Sequence, residues 1–82
     1  SPVNLTGSEY KILCALMRAP GRVFSRSELL NQFYQYGETV VDRVIDVHIG
    51  NLRQKIERDP AKPQFILTVR GFGYKFSEGE EQ

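Results

Sequence analysis

The chain has 82 residues, 40% of them apolar and 26% charged, with a formal net charge of +1 and one cysteine. That is enough for one small domain, which buries only about 60–65% of the surface its unfolded form exposes. No apolar run approaches the roughly 18 residues of a membrane span, the start Ser1-Pro2-Val3-Asn4-Leu5 lacks the order of a secretory signal, and a lone Cys14 fits a reducing, cytoplasmic setting.

Three segments have capping-box spacing, in which the side chains at either end satisfy each other's orphan backbone donors: Thr6 with Glu9, Ser25 with Glu28, and Thr39 with Asp42. After the first, Ile12, Leu13, Leu16 and Met17 recur at helical spacing, with Tyr10 close by, and the helix ends before Pro20-Gly21. Val23-Phe24 then suits a short strand. The second cap opens a short helix carrying Leu29, Leu30 and Phe33, which stops near Gly37. The third opens a longer helix, about residues 40–57, that ends before Asp59-Pro60. Phe65-Ile66-Leu67-Thr68-Val69 is a β-favouring run, Arg70-Gly71-Phe72-Gly73 supplies turn residues, and Tyr74-Lys75-Phe76 returns as a second strand.

Three helices followed by a hairpin predict an α+β fold: a winged helix-turn-helix, in which a three-helix bundle carries a C-terminal β-hairpin wing as a small antiparallel sheet. The domain spans 1–77, and residues 78–82 form an acidic tail expected to be disordered. Tyr10, Phe24, Phe33, Phe65 and Phe76 are assigned to the core.

The third helix carries the functional signal. At 100° per residue, Val41, Ile45, Ile49, Leu52 and Ile56 share an arc of about 80°, which is the buried face. Opposite lie Arg43, Asp46, Val47, Gly50 and Gln54, flanked by Asn51 and Arg53. A glycine in a helix interior costs about 1 kcal/mol relative to alanine, and a short, mixed surface that accepts this cost suits close approach to a partner. Base edges offer matching groups: Val47 suits a thymine methyl, Asn51 and Gln54 suit adenine, and Arg43 or Arg53 suits phosphate or guanine. Arg70, at the hairpin tip, suits a narrow and negative minor groove.

Charge is distributed accordingly. Residues 43–75 hold seven basic side chains against three acidic ones, residues 1–42 balance at four each, and Glu78, Glu80 and Glu81 make the tail negative. The competing reading is a winged-helix protein-interaction module, motivated by the small net charge, in which Val47 and Gly50 belong to a dry contact patch.

Little points to catalysis or to a cofactor. One histidine and one cysteine do not make a zinc site, which usually takes four Cys, His or carboxylate ligands. Cys14 sits beside core positions of the first helix and is expected simply to pack. Gly71 and Gly73 lack the strand-loop-helix context of a phosphate loop. The expectation is a non-enzymatic domain without metal or cofactor.

Several segments together resemble the OmpR/PhoB-type effector domain of two-component response regulators. They are Leu5-Thr6 with Glu9, Pro20 to Arg26, Asp42-Arg43-Val44-Ile45-Asp46-Val47-His48-Ile49, Leu52-Arg53-Gln54-Lys55, and Thr68-Val69-Arg70-Gly71-Phe72-Gly73-Tyr74. The resemblance implies a cytoplasmic, phosphorylation-controlled transcription regulator that binds tandem half-sites on double-stranded DNA as a dimer. It places the third helix in the major groove and the wing at the adjacent minor groove. Carried over by position, Arg43, His48 and Arg53 contact phosphates, and Asp46, Val47, Gly50 and Asn51 face bases. Thr68 and Arg70 sit on the wing, Tyr74 lies near the backbone, and Tyr34 packs against phosphate. Loop 35–40 resembles the segment through which some members touch RNA polymerase. Many relatives are basic where this chain has Gly50 and Asn51, so their base preference does not transfer. Relatives also carry a receiver domain, addressed by a sensor kinase, and a four-stranded sheet before the first helix. The chain is therefore expected to be a piece of a longer regulator, with one side of its first helix under-covered.

Overall fold

In a computed structural model of the chain, the structure describes residues 3–32 and 42–79. Three helices, α1 (Gly7–Met17), α2 (Arg26–Leu30) and α3 (Arg43–Ile56), precede two strands, β1 (Ile66–Val69) and β2 (Gly73–Phe76), which pair as an antiparallel two-stranded sheet. This is a winged helix, as the order of elements predicts.

Two of the expected capping boxes set where helices begin. Thr6 Oγ1 accepts from Glu9 N while Glu9 Oε1 accepts from Thr6 N, both at 3.1 Å. Ser25 and Glu28 repeat the exchange at 3.0 and 2.9 Å. The third differs: α3 starts at Arg43, and Asp42 precedes it with helical dihedrals and no side-chain capping bond. Thr39, the head of that expected box, lies outside the described residues, as do Phe33, Gly37 and Val41. The second helix, expected to reach the region of Gly37, ends at Leu30, where Gln32 N turns to Leu29 O at 3.1 Å in a tightened i to i+3 bond.

The core is built from Ile12, Ala15 and Leu16 of α1, Phe24, Leu29 of α2, Ile45, Ile49 and Leu52 of α3, and Ile66 of β1. Two aromatics expected there are outside it. Tyr10 is 61% exposed because it stands opposite the arc that Ile12 and Leu16 turn inward, and Met17, on the same side, is 51% exposed. Phe65, 44% exposed, lies just before β1 and stacks on Phe76 with ring centroids 6.2 Å apart. Phe24 is buried and Phe76 packs partly against the core. Cys14 is half-buried on α1.

Two buried carboxylates join elements that are distant in sequence. Glu9, besides closing its capping box, accepts from Lys55 Nζ at 2.6 Å and so ties α1 to α3. That ammonium, together with the backbone N–H of Thr6, outweighs burial and holds the Glu9 carboxyl below the usual carboxylate range. Glu57, immediately after α3, accepts from the backbone N–H groups of Gln64, Phe65 and Ile66 at 2.7–3.2 Å. It thereby fixes how the chain enters β1.

The hairpin closes tightly. Phe72 N donates to Val69 O at 2.9 Å, and Gly71, with φ +82, takes the third turn position, where a left-handed conformation favours glycine. The short strand expected at Val23-Phe24 is a single bridge: Phe24 and Tyr74 exchange backbone bonds of 2.8 and 2.9 Å. Here Gly73, at φ +151, approaches so closely that a Cβ would collide with the Phe24 carbonyl oxygen. No helix among the described residues is long and apolar enough to cross a membrane.

Three outcomes are expected from this packing. Gly73→Ala should destabilise the fold by roughly 3 kcal/mol in urea denaturation, through steric overlap and backbone strain. Glu57→Ala, which orphans three backbone donors, should cost roughly 1–3 kcal/mol in the same measurement. Because the folded-state pKa of Glu9 is depressed, its contribution is complete above the ordinary carboxylate value near 4.5 and is lost as pH falls through the lower folded value. Urea midpoints followed from pH 6 to about pH 2 should therefore fall less steeply for Glu9→Gln than for the native chain.

Candidate nucleic-acid interface

The faces of α3 divide by what they meet. Ile45, Ile49 and Leu52 enter the core. On the far side Arg43, Val47, Gly50 and Gln54 fall within an arc of about 60°. All four are exposed, Val47 at 54%, and Asn51 extends the exposed surface on one flank. At Gly50 a Cβ would meet nothing within 4 Å, so no internal packing demands the glycine. Its effect is on the outer surface, which it keeps low.

The flank turned toward the hairpin is different. Asp46 is half-buried, and both of its carboxylate oxygens are occupied: Oδ1 accepts from the Tyr74 hydroxyl at 2.6 Å and Oδ2 from Arg26 Nη1 at 2.9 Å. Arg53 donates through Nε and Nη2 to Ile66 O at 3.1 and 2.8 Å, and through Nη2 to Thr68 Oγ1 at 2.9 Å. Its guanidinium also lies 5.6 Å from the Tyr74 ring centroid. Burial first, and then the bond to Asp46, push the Tyr74 phenol up to about 12, so the hydroxyl stays protonated and adds no negative charge.

The opposite flank faces α1. His48 is half-buried there, and Lys55 holds Glu9 directly. Thr68 and Arg70 are exposed on the hairpin. Arg43, Val47, Gly50, Asn51 and Gln54 are thus gathered on one open face, with Thr68 and Arg70 on the hairpin attached beside it. Asp46, Arg53 and Tyr74 are engaged with one another or with β1, between that face and the hairpin. Tyr34 and loop 35–40 lie outside the described residues.

Two participants were not legible from pattern alone. Arg26 follows the α2 cap like any surface arginine, and only the tertiary fold brings it to Asp46, 20 residues later. Phe72, 73% exposed, was expected in the turn, but only the tertiary fold sets it across a groove from Arg26. Both line a groove between the hairpin and the first residues of α2 and α3, with Ser25, Ser27, Asp42 and Thr68 also on its walls.

Comparison with known proteins bears on the family and the fold. Residues 1–76 match the family described as transcriptional regulatory protein, C terminal. The chain is 47% identical over 73 residues to the DNA-binding response regulator MtrA of Mycolicibacterium smegmatis, covering 89% of this chain and 32% of that protein. Among solved structures, the response regulator DrrB of Thermotoga maritima, an OmpR/PhoB homolog, superposes with a TM-score of 0.83 at 37% identity over 92% of this chain and 34% of its own. The DNA-binding domain of the response regulator AdeR, solved in complex with an intercistronic region, gives 0.77 at 36% identity, covering 92% of this chain and 76% of that one. The chain spans about a third of the length of the curated relatives it matches. With its match across nearly all of its length and its winged-helix architecture, the chain belongs to the family of C-terminal domains of transcriptional regulatory proteins, of OmpR/PhoB type.

Proposed function

We propose that this domain binds double-stranded DNA in a sequence-specific manner, as the output domain of a two-component response regulator that controls transcription. The observation that carries the reading is the exposed face of α3, on which an arginine, two amides, a valine and a glycine lie open beside a hairpin bearing Arg70. An α-helix fits the major groove, and these groups match what base edges and phosphates present there. In this reading Arg43 binds phosphate, Val47 meets a thymine methyl, Asn51 and Gln54 read base edges, and Gly50 permits the approach. Thr68 and Arg70 reach the neighbouring minor groove. His48 and Tyr74 contact the backbone, as Tyr34 does from outside the described residues. Arg53 uses only Nε and Nη2 among the described residues, which leaves its Nη1 for a phosphate.

Electrostatics support the same reading. Asp46, an acidic group near the path of a polyanion, is paired with Arg26 and bonded to a neutral phenol. The basic excess of residues 43–75 falls on α3, the hairpin and the loop between them. The remaining assignments are part of the same proposal. The domain proper is 1–77 with an acidic tail at 78–82, and it works in the cytoplasm without catalysis of its own. In a full-length regulator a receiver domain would take the signal from a sensor kinase. Two copies would occupy tandem half-sites, and loop 35–40 would be the surface offered to RNA polymerase.

Duplexes selected from a random library by this chain supply the test. Affinity should fall with salt at a log–log slope of about −0.9 per phosphate contact. A salt-independent affinity, or none, would reject duplex binding and favour the protein-interaction reading. Arg43→Ala should weaken all duplexes alike. Asn51→Ala should instead alter preference at one base position by roughly 1–3 kcal/mol. Equal behaviour of the two variants would contradict the division between phosphate and base contacts.

A further inference from the structure

Contacts to two adjacent grooves work together only when the elements that make them hold a fixed offset. The side chains between α3 and the hairpin provide such a constraint. Asp46 receives the Tyr74 hydroxyl of β2 at 2.6 Å, and Arg26 buttresses the same carboxylate at 2.9 Å. Seven residues further along α3, about 10 Å along the axis, Arg53 grips the backbone of Ile66 and the hydroxyl of Thr68 on β1. The Phe24 bridge and Glu57 tie the hairpin to the body of the domain; these two side chains, on different strands, tie it to α3 itself.

Holding the hairpin to the body of the domain does not by itself require this arrangement, since Glu57, the Phe24 bridge and Ile66 also secure it. The Arg26–Asp46 pair keeps 46% and 40% of its side-chain surface in solvent, where such pairs add little. Neither Asp46 nor Arg53 belongs to the core.

We propose that Asp46 and Arg53 are positioning residues: together they brace the wing against α3, so that the domain senses the spacing between the base pairs read in the major groove and those beneath the wing. This rests on the DNA-binding reading above, and it assigns Asp46 a role other than facing bases. Specificity then resides partly in an offset, and not only in the identity of base pairs.

The test uses a duplex selected by this chain, together with a second in which one base pair is inserted between the segment protected by α3 and the segment protected by the wing. The native chain should prefer the first by about tenfold or more. Asp46→Ala, which removes both bonds, should reduce that ratio to about two- to threefold, mainly by losing affinity for the correctly spaced duplex. Tyr74→Phe keeps the ring beneath Arg53 and removes only the hydroxyl, so it should shift the ratio in the same direction even if Asp46→Ala folds poorly. Melting temperatures of folded variants should remain close to native. If a variant weakens both duplexes equally and keeps the ratio, the brace is wrong while DNA binding stands. If the native chain binds neither duplex, the DNA-binding reading itself fails.

Discussion

A helix whose outer side is to meet a partner faces a conflict: that side must stay open while the elements around it are held still. In this domain the conflict is resolved along the edges of α3. Asp46 and Arg53 bond to the hairpin on one flank, and Lys55 bonds to Glu9 of α1 on the other. Ile45, Ile49 and Leu52 anchor the helix from beneath. The strip that remains, Arg43, Val47, Gly50 and Gln54, lies open among the described residues without being loosely held.

The hairpin depends on the same economy of contacts. A two-stranded sheet alone is marginal in water, and here each strand is secured from outside. Glu57 collects the N–H groups leading into β1, Arg53 takes its first carbonyl, and Phe24 pairs with β2 through Tyr74. Every one of these partners is polar backbone or a group directed at polar backbone. The hairpin is thus attached by hydrogen bonds as well as by apolar contacts, with Ile66 fully buried and Tyr74 and Phe76 packed partly against the core. Directional bonds suit an element whose orientation matters more than its burial.

Much of this was legible in the sequence because it follows from local rules. The first two capping boxes, the breaker pair Pro20-Gly21 and the glycine-bearing turn each act within a few residues, and they set the ends of elements as expected. The two faces of α3 followed from its period. What could not be read depends on tertiary contacts. Glu9 and Glu57 look like ordinary surface acids until Lys55 and the segment 64–66 are brought to them. Tyr10 and Phe65 were assigned to the core on hydrophobicity alone, but a helix of this size turns only one arc inward, and Ile12 and Leu16 already fill it. Asp46 and Arg53 lie on the margins of the exposed arc, where helical periodicity does not distinguish a side chain that meets a partner from one that meets its own wing.

Gly50 has one more implication. Among the described residues nothing lies within 4 Å of where its Cβ would stand, so a larger side chain there needs no rearrangement of the core they form. Replacing a mid-helix glycine also raises helix propensity, by roughly 1 kcal/mol for alanine. Most changes to a recognition surface draw on stability. At this position the two quantities move independently or together, so if α3 reads DNA as proposed, a lineage altering that reading has an opening here that leaves the scaffold intact.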